Sequence, residues 1–173
     1  HDALPISMTL AVVFGAASLK PVTANAAEAS VSASIEEENS YISFQDEAYQ
    51  NEFLRRVNNE RAKAGLKPVQ LGDSNHNSAA QERAEEIATV NSHVRPNGTK
   101  WYTVLSEYGV TDAAAGENAA WGSVSPEEVV NAWMNSEGHR ANILDPEARA
   151  MGVGYYYNSS STWGHQWIQL FTK

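Results

Sequence analysis

Three groups able to ligate a metal or move a proton stand in three short blocks of this sequence. His93 lies in Ser92–Gly98 (SHVRPNG), Glu117 in Gly116–Gly122 (GENAAWG) and His139 in Trp133–Leu144 (WMNSEGHRANIL). The intervals, from 93 to 117 and from 117 to 139, are too long for one helix face, so only a folded domain brings these groups together. Two imidazoles and a carboxylate suit a divalent transition metal such as zinc, with a position left open for water or a ligand. Without a metal, a Glu between two His can hold them in chosen protonation states.

Taken singly, each group has a plainer role. His93 precedes the loop signal Arg95-Pro96-Asn97-Gly98 and reads as a solvated or hydrogen-bonded bystander just past a helix. Glu117 stands alone in the uncharged run Ala113–Val124. It is either a turn residue bonding nearby amides or, if buried, must meet a cation, a metal or several donors. His139, between Gly138 and Arg140, reads as a cap or a helix-end cation. Neither HExxH nor Gly-x-Ser-x-Gly occurs, so the helix-borne zinc hydrolase and the serine hydrolase elbow are both absent.

Helices and strands must position these groups. Tyr49, Phe53 and Val57 recur every four residues from Asp46, and Gly65 predicts the stop of a first helix. A second follows a cap at Asp73 or Ser74, with Ala80, Ala84 and Ile87 in phase; His76 shares that phase and reads as a packing residue. A third spans Trp101–Tyr108 and stops at Gly109. A fourth starts with Ser125 as cap, Pro126 and then Glu128 in a capping box. Beyond Met151 the period changes to two, and the turn-like Asn158–Ser161 separates two aromatic-rich strands, an antiparallel hairpin. His165, alternating with Trp167, Gln169 and Phe171, either packs or lines the site. The Gly116–Gly122 block supplies a further strand. Helices first and strands last, without βαβ alternation, predict an α+β fold.

The chain has 173 residues, 42% hydrophobic and 19% charged, which suits one domain with a real core. Its 21 acidic against 12 basic residues leave a net charge of −9. That argues against a nucleic-acid partner, which needs a basic face, and against attraction to anionic membranes. Cysteine is absent, so disulfides, Cys-based zinc sites and thiol catalysis are excluded together. Residues 1–26 read as an export signal: the apolar run from Met8 is too short to span a bilayer, and Ala24-Asn25-Ala26 has the form of a cleavage site. Residues 1–7 lack the basic residues of such a signal, and are either the end of a longer leader or non-native sequence. Residues 27–45 are Ala-, Ser- and Glu-rich and read as an acidic spacer, and 46–173 as the domain.

The blocks resemble the CAP superfamily of cysteine-rich secretory proteins, antigen 5 and group 1 pathogenesis-related proteins. The bacterial SCP-like branch is most similar, through Val57-Asn58-Asn59-Glu60-Arg61, SHVRPNG, GENAAWG, WMNSEGHRANIL, MGVGYY and WIQLF in that order. The resemblance implies a three-layer α-β-α sandwich around a short antiparallel sheet. It also implies a His/Glu cleft that in some members binds a divalent cation. By motif His93, Glu117 and His139 match the cleft residues, while Asn118, Arg140 and Asn142 match positions that brace it. Two departures stand out. Ser136 occupies the place of a second glutamate, and Gln166 that of a strand histidine. His165 is one residue early, so either Gly164 opens a bulge that restores its direction or His165 lies outside the cluster, the reading favoured here.

Three functions follow: a secreted, monomeric binding module whose cleft takes a metal ion, a lipid or a cell-envelope component; a metal-dependent hydrolase with Glu117 as base; or a structural cluster that locks loops together. The first fits best, because no nucleophile or dedicated acid–base pair stands beside the cluster.

Overall fold

The computed structural model describes residues 47–173. The export signal, the spacer and the domain start at Asp46 lie outside the described residues. In chain order the elements are α1 (Glu47–Lys63), β1 (Gln70–Leu71), α2 (Ser74–Ile87), α3 (Thr103–Glu107), β2 (Ala114–Trp121), α4 (Pro126–Met134), α5 (Glu137–Ile143), β3 (Ala150–Asn158) and β4 (Gly164–Thr172).

Local chemistry sets the ends. α1 stops where Gly65 takes φ 72°, with the Leu66 N–H bonding the Arg61 carbonyl at 2.9 Å. Asp73 caps α2 by accepting from the Asn75 and His76 amides, so the cap is Asp73 rather than Ser74. Ser125 Oγ accepts from the Glu128 N–H, and Glu128 reaches back to the Val124 N–H at 2.9 Å.

The strands form one four-stranded sheet in the order β1-β3-β4-β2. β4 pairs antiparallel with both β3 and β2, and the two-residue β1 runs parallel to β3. That parallel edge departs from the expected all-antiparallel sheet; two residues are too short to show a period. Helices cover both faces, giving the three layers the sequence resemblance implied. On one face Phe53 and Val57 of α1, Trp133 of α4 and Ile143 of α5 pack on Met151, Trp167 and Phe171. On the other, Ala80, Ala84 and Ile87 of α2 pack with Val104 and Leu105 on Ile168 and Leu170.

The glycines of MGVGYY explain how closely α2 lies on β3. A Cβ on Gly152 would come 2.4 Å from the His76 carbonyl oxygen, and one on Gly154 would come 2.0 Å from that of Ala80. With no Cβ in the way, Asn77 Oδ1 and Gln81 Oε1 reach the Val153 and Tyr155 amides, at 3.1 and 3.2 Å. The helix thus supplies hydrogen bonds to strand amides. Among the described residues no helix is long and apolar enough to cross a membrane.

Candidate functional site

The site grows from β2, an edge strand of the sheet, where Glu117 pairs with Leu170 and Asn118 with Gln169. Successive side chains alternate between faces, so Glu117 points to α2 and Asn118 to α5. Glu117 is therefore a strand residue with a 1% exposed side chain, and not the turn residue of its plainer reading.

A buried carboxylate needs partners, and Glu117 has two. Arg83 of α2 donates through Nε to Oε2 at 2.9 Å and through Nη2 to Oε1 at 3.2 Å. His93 Nδ1 lies 2.6 Å from Oε1, its ring 60% exposed. Arg83 Nη2 also donates to the Ser92 carbonyl at 3.0 Å, so one guanidinium fixes both the acceptor of His93 and the backbone beside it. The short bond to Glu117 raises the His93 pKa; burial and the Arg83 charge oppose it without prevailing. Burial would lower the Arg83 pKa, but Glu117 and Glu86 outweigh it and leave the net shift upward.

His139 approaches from α5, in the opposite layer. Its ring is half-buried and lies 6.4 Å, centroid to centroid, from Trp133. Burial, then the charge on His93, push its pKa down. The two histidines thus differ in kind: one favoured as a cation on a buried carboxylate, the other favoured neutral.

Two polar side chains staple α5 to β2. Asn118 Nδ2 donates to the His139 carbonyl at 3.2 Å and to Gln169 Oε1 at 3.1 Å. Asn142 Nδ2 donates to the Glu117 carbonyl at 3.1 Å and to Asn118 Oδ1 at 2.8 Å. Asn142 reaches the strand because Gly116 lacks a side chain; a Cβ there would sit 2.7 Å from Asn142 Oδ1. Arg140 Nη1 donates to the Met134 carbonyl at 3.1 Å, bridging the break between α4 and α5. Ser136 sits in that break as the residue before α5 and makes no side-chain cap bond. Trp133 Nε1 donates to the Ala119 carbonyl at 3.2 Å, and Trp121 Nε1 to that of Ile87, also at 3.2 Å.

His165 lies elsewhere. It pairs with Tyr157 in a register that runs unbroken along β3 and β4, and its Nδ1 is 2.8 Å from the Tyr155 hydroxyl. Gly164 has φ 68° yet opens no bulge there. His165 is five residues from Leu170, the partner of Glu117, or about 17 Å along a strand. The structure brings His93 to Glu117 and leaves His165 in an aromatic group at the far end of the sheet.

A metal shell using all three expected ligands does not fit these contacts. Both Glu117 oxygens are engaged, and the Arg83 guanidinium beside them opposes a second cation. Among the described residues no group of three or more His, Asp or Glu is disposed to hold a metal ion. Grooves of about 480 Å³ between α1 and α4 and about 430 Å³ beside α3 are lined by none of His93, Glu117 and His139.

Two arginines of this frame were not singled out from sequence. Arg83 is four residues before Ile87 and three after Ala80, inside the apolar stripe of α2, and a lone acid in an uncharged run was its natural counter-ion. That signal was there. Arg95, taken only as part of a loop, is buried among Glu82, Glu86 and Glu107 at 2.6, 2.9 and 2.6 Å. It anchors the loop carrying His93 to α2 and α3.

The family model of cysteine-rich secretory proteins (CAP) matches residues 54–171. An uncharacterized protein of Bacillus subtilis, YkwD, is 41% identical over 123 residues, covering 70% of this chain and 47% of that protein. The chain therefore spans about half the length of this curated relative. A solved extracellular protein of Bacillus anthracis containing an SCP domain aligns with TM-score 0.62 and 25% identity, over 71% of this chain and 39% of that one. An outer surface protein of Borrelia burgdorferi shares the fold, with TM-score 0.63 and 20% identity over 73% of this chain and 93% of its own.

Proposed function

This chain belongs to the cysteine-rich secretory protein family, and from that premise we propose that it is an exported binding module whose cleft takes a small ligand. The ligand comes from the cell envelope or the medium, and His93 and His139 meet it. One observation carries this reading: a solvent-facing imidazole is held at Nδ1 by a carboxylate that is itself buried and locked by Arg83. Such a carboxylate fixes the orientation of the ring and leaves Nε2 free to meet a ligand. The exported setting is supported by the apolar run from Met8 and by neighbours described as an extracellular protein and an outer surface protein. The net negative charge of the chain supports a partner other than nucleic acid.

The same pair favours a second reading. With Nδ1–H held by Glu117, Nε2 of His93 is placed to accept a proton from water, as a general base would. Among the described residues no Ser, Thr or Tyr hydroxyl bonds to His93, so the binding reading stands first.

Both are tested by following the His93 and His139 ring protons by NMR against a panel of cell-wall fragments, short-chain lipids and zinc chloride. The binding reading expects one class to shift both rings, with affinity reduced at least tenfold in His93→Ala. Silence of both rings across the panel overturns it. Turnover of a panel member that His93→Ala abolishes moves the chain to the second reading.

A further inference from the structure

The end of the sheet remote from Glu117 carries a surface of a different character. The hairpin Ala150–Thr172 contains no Asp, Glu, Lys or Arg, in a chain of net charge −9. The loop after β2 joins it there: Trp121 pairs with Gln166, the Gly122 N–H donates to the His165 carbonyl at 2.9 Å, and Trp167 Nε1 to that of Ser123 at 2.7 Å. Trp163 and Val124 are each 58% exposed and Tyr157 is 37% exposed.

Rings here are held in place. Trp167, buried in the core, lies 4.7 Å from Tyr155; Tyr155 lies 5.8 Å from His165, and His165 4.9 Å from Tyr157, centroid to centroid. Tyr157 also packs against Gly164, where a Cβ would come within 3.3 Å of its ring. Beside this ladder the hydroxyls of Ser159, Ser160 and Thr162 and the Trp163 indole N–H are exposed, and none has a hydrogen-bond partner among the described residues.

We infer that this end of the sheet is a second binding surface, and that its occupant is a neutral polyhydroxylated polymer, a glycan chain. Aromatic faces are electron-rich and attract the weakly positive C–H face of a sugar ring, while the unused hydroxyls and the indole N–H match sugar hydroxyls. Tyr157, exposed yet held against His165 and Gly164, loses little entropy on binding, and Trp163 stands beside it. With no cation in the hairpin and a net negative chain, an acidic polymer has nothing to pair with. A bilayer would strand the three hydroxyls without partners. The surface needs nothing from the His93–Glu117 pair.

The test uses the whole chain in native gels containing a soluble neutral β-glucan, with titration of a β-1,4-linked N-acetylglucosamine hexamer alongside. The inference expects retardation or binding with at least one probe, little affected by salt, and reduced about tenfold or more in Trp163→Ala and Tyr157→Ala. Trp163→Phe, which keeps a stacking face, should retain most of it. Unchanged melting midpoints separate these losses from unfolding. No binding to either probe overturns the inference, as does equal binding by Trp163→Ala. So does Trp163-dependent binding to phosphatidylcholine vesicles, or Trp163-dependent dimerisation, in place of glycan binding.

Discussion

Glu117 is the residue on which the site turns, since it bonds Arg83 and His93 at once from a fully buried position. Removing one partner of a buried pair leaves the other charge uncompensated. Glu117→Ala should therefore cost about 3–5 kcal/mol, read as a loss in urea midpoint. Glu117→Gln keeps the shape and isolates the charge. In that variant the His93 ring proton should titrate at lower pH than in the wild type, while His139, freed of some of the His93 charge, should move slightly upward. In the wild type His93 should titrate above the ordinary value of 6.5 and His139 below it. The signs for stability differ. The raised His93 contributes fully below the unfolded value and loses its contribution as pH rises through the folded value; the depressed His139 contributes above it and loses as pH falls. Coincident titration of the two rings would show that neither environment is as described.

At the scale of elements, the packing of α2 on β3 depends on two missing side chains. Gly154→Ala places a methyl 2.0 Å from a helix carbonyl that cannot move without the helix. A loss of about 3 kcal/mol or more, or failure to fold, is expected on thermal melting. Gly138 in α5 is the counter-case: a Cβ there meets nothing within 4 Å. Gly138→Ala should raise stability by about 0.5–1 kcal/mol, through helix propensity alone. At the start of α4, Ser125→Ala removes the acceptor of the Glu128 amide, and the same melting experiment should show a loss near 1 kcal/mol.

Across the whole molecule, Arg61 ties the first helix to the end of the site helix. Its buried guanidinium donates to the Ile143 and Asp145 carbonyls at 2.8 Å and to the Lys67 carbonyl at 2.9 Å. Burial pushes its pKa down, with the nearby Asp145 opposing that shift. The bonds close the C-terminal turn of α5, which bears His139, onto α1. Arg61→Met keeps much of the volume and deletes the donors. Faster hydrogen exchange should follow at Leu144 and Asp145, together with a changed His139 ring-proton shift. Exchange there as slow as in the wild type would mean that α5 is held by Asn118 and Asn142 alone.

Much of this molecule was legible in its residues. Periodicity located α1 and α2, a Ser-Pro-x-Glu start located α4, and alternation with a Ser-rich turn located the hairpin, because those signals are local and repeat over many residues. Residue type and order also picked out His93, Glu117 and His139 and the family to which they belong. What only the tertiary structure decided was which group touches which. His93 and Glu117 are brought together across the gap between a loop and an edge strand, and Arg83 takes the far side of the carboxylate from a helix. His139 comes from the other layer, and His165 is carried to the opposite end by an unbroken register. Contacts between such distant segments depend on strand order and helix placement, which no local pattern encodes. Composition thus determined that a carboxylate and two imidazoles were at hand; packing decided that the carboxylate serves one of them and is held by an arginine.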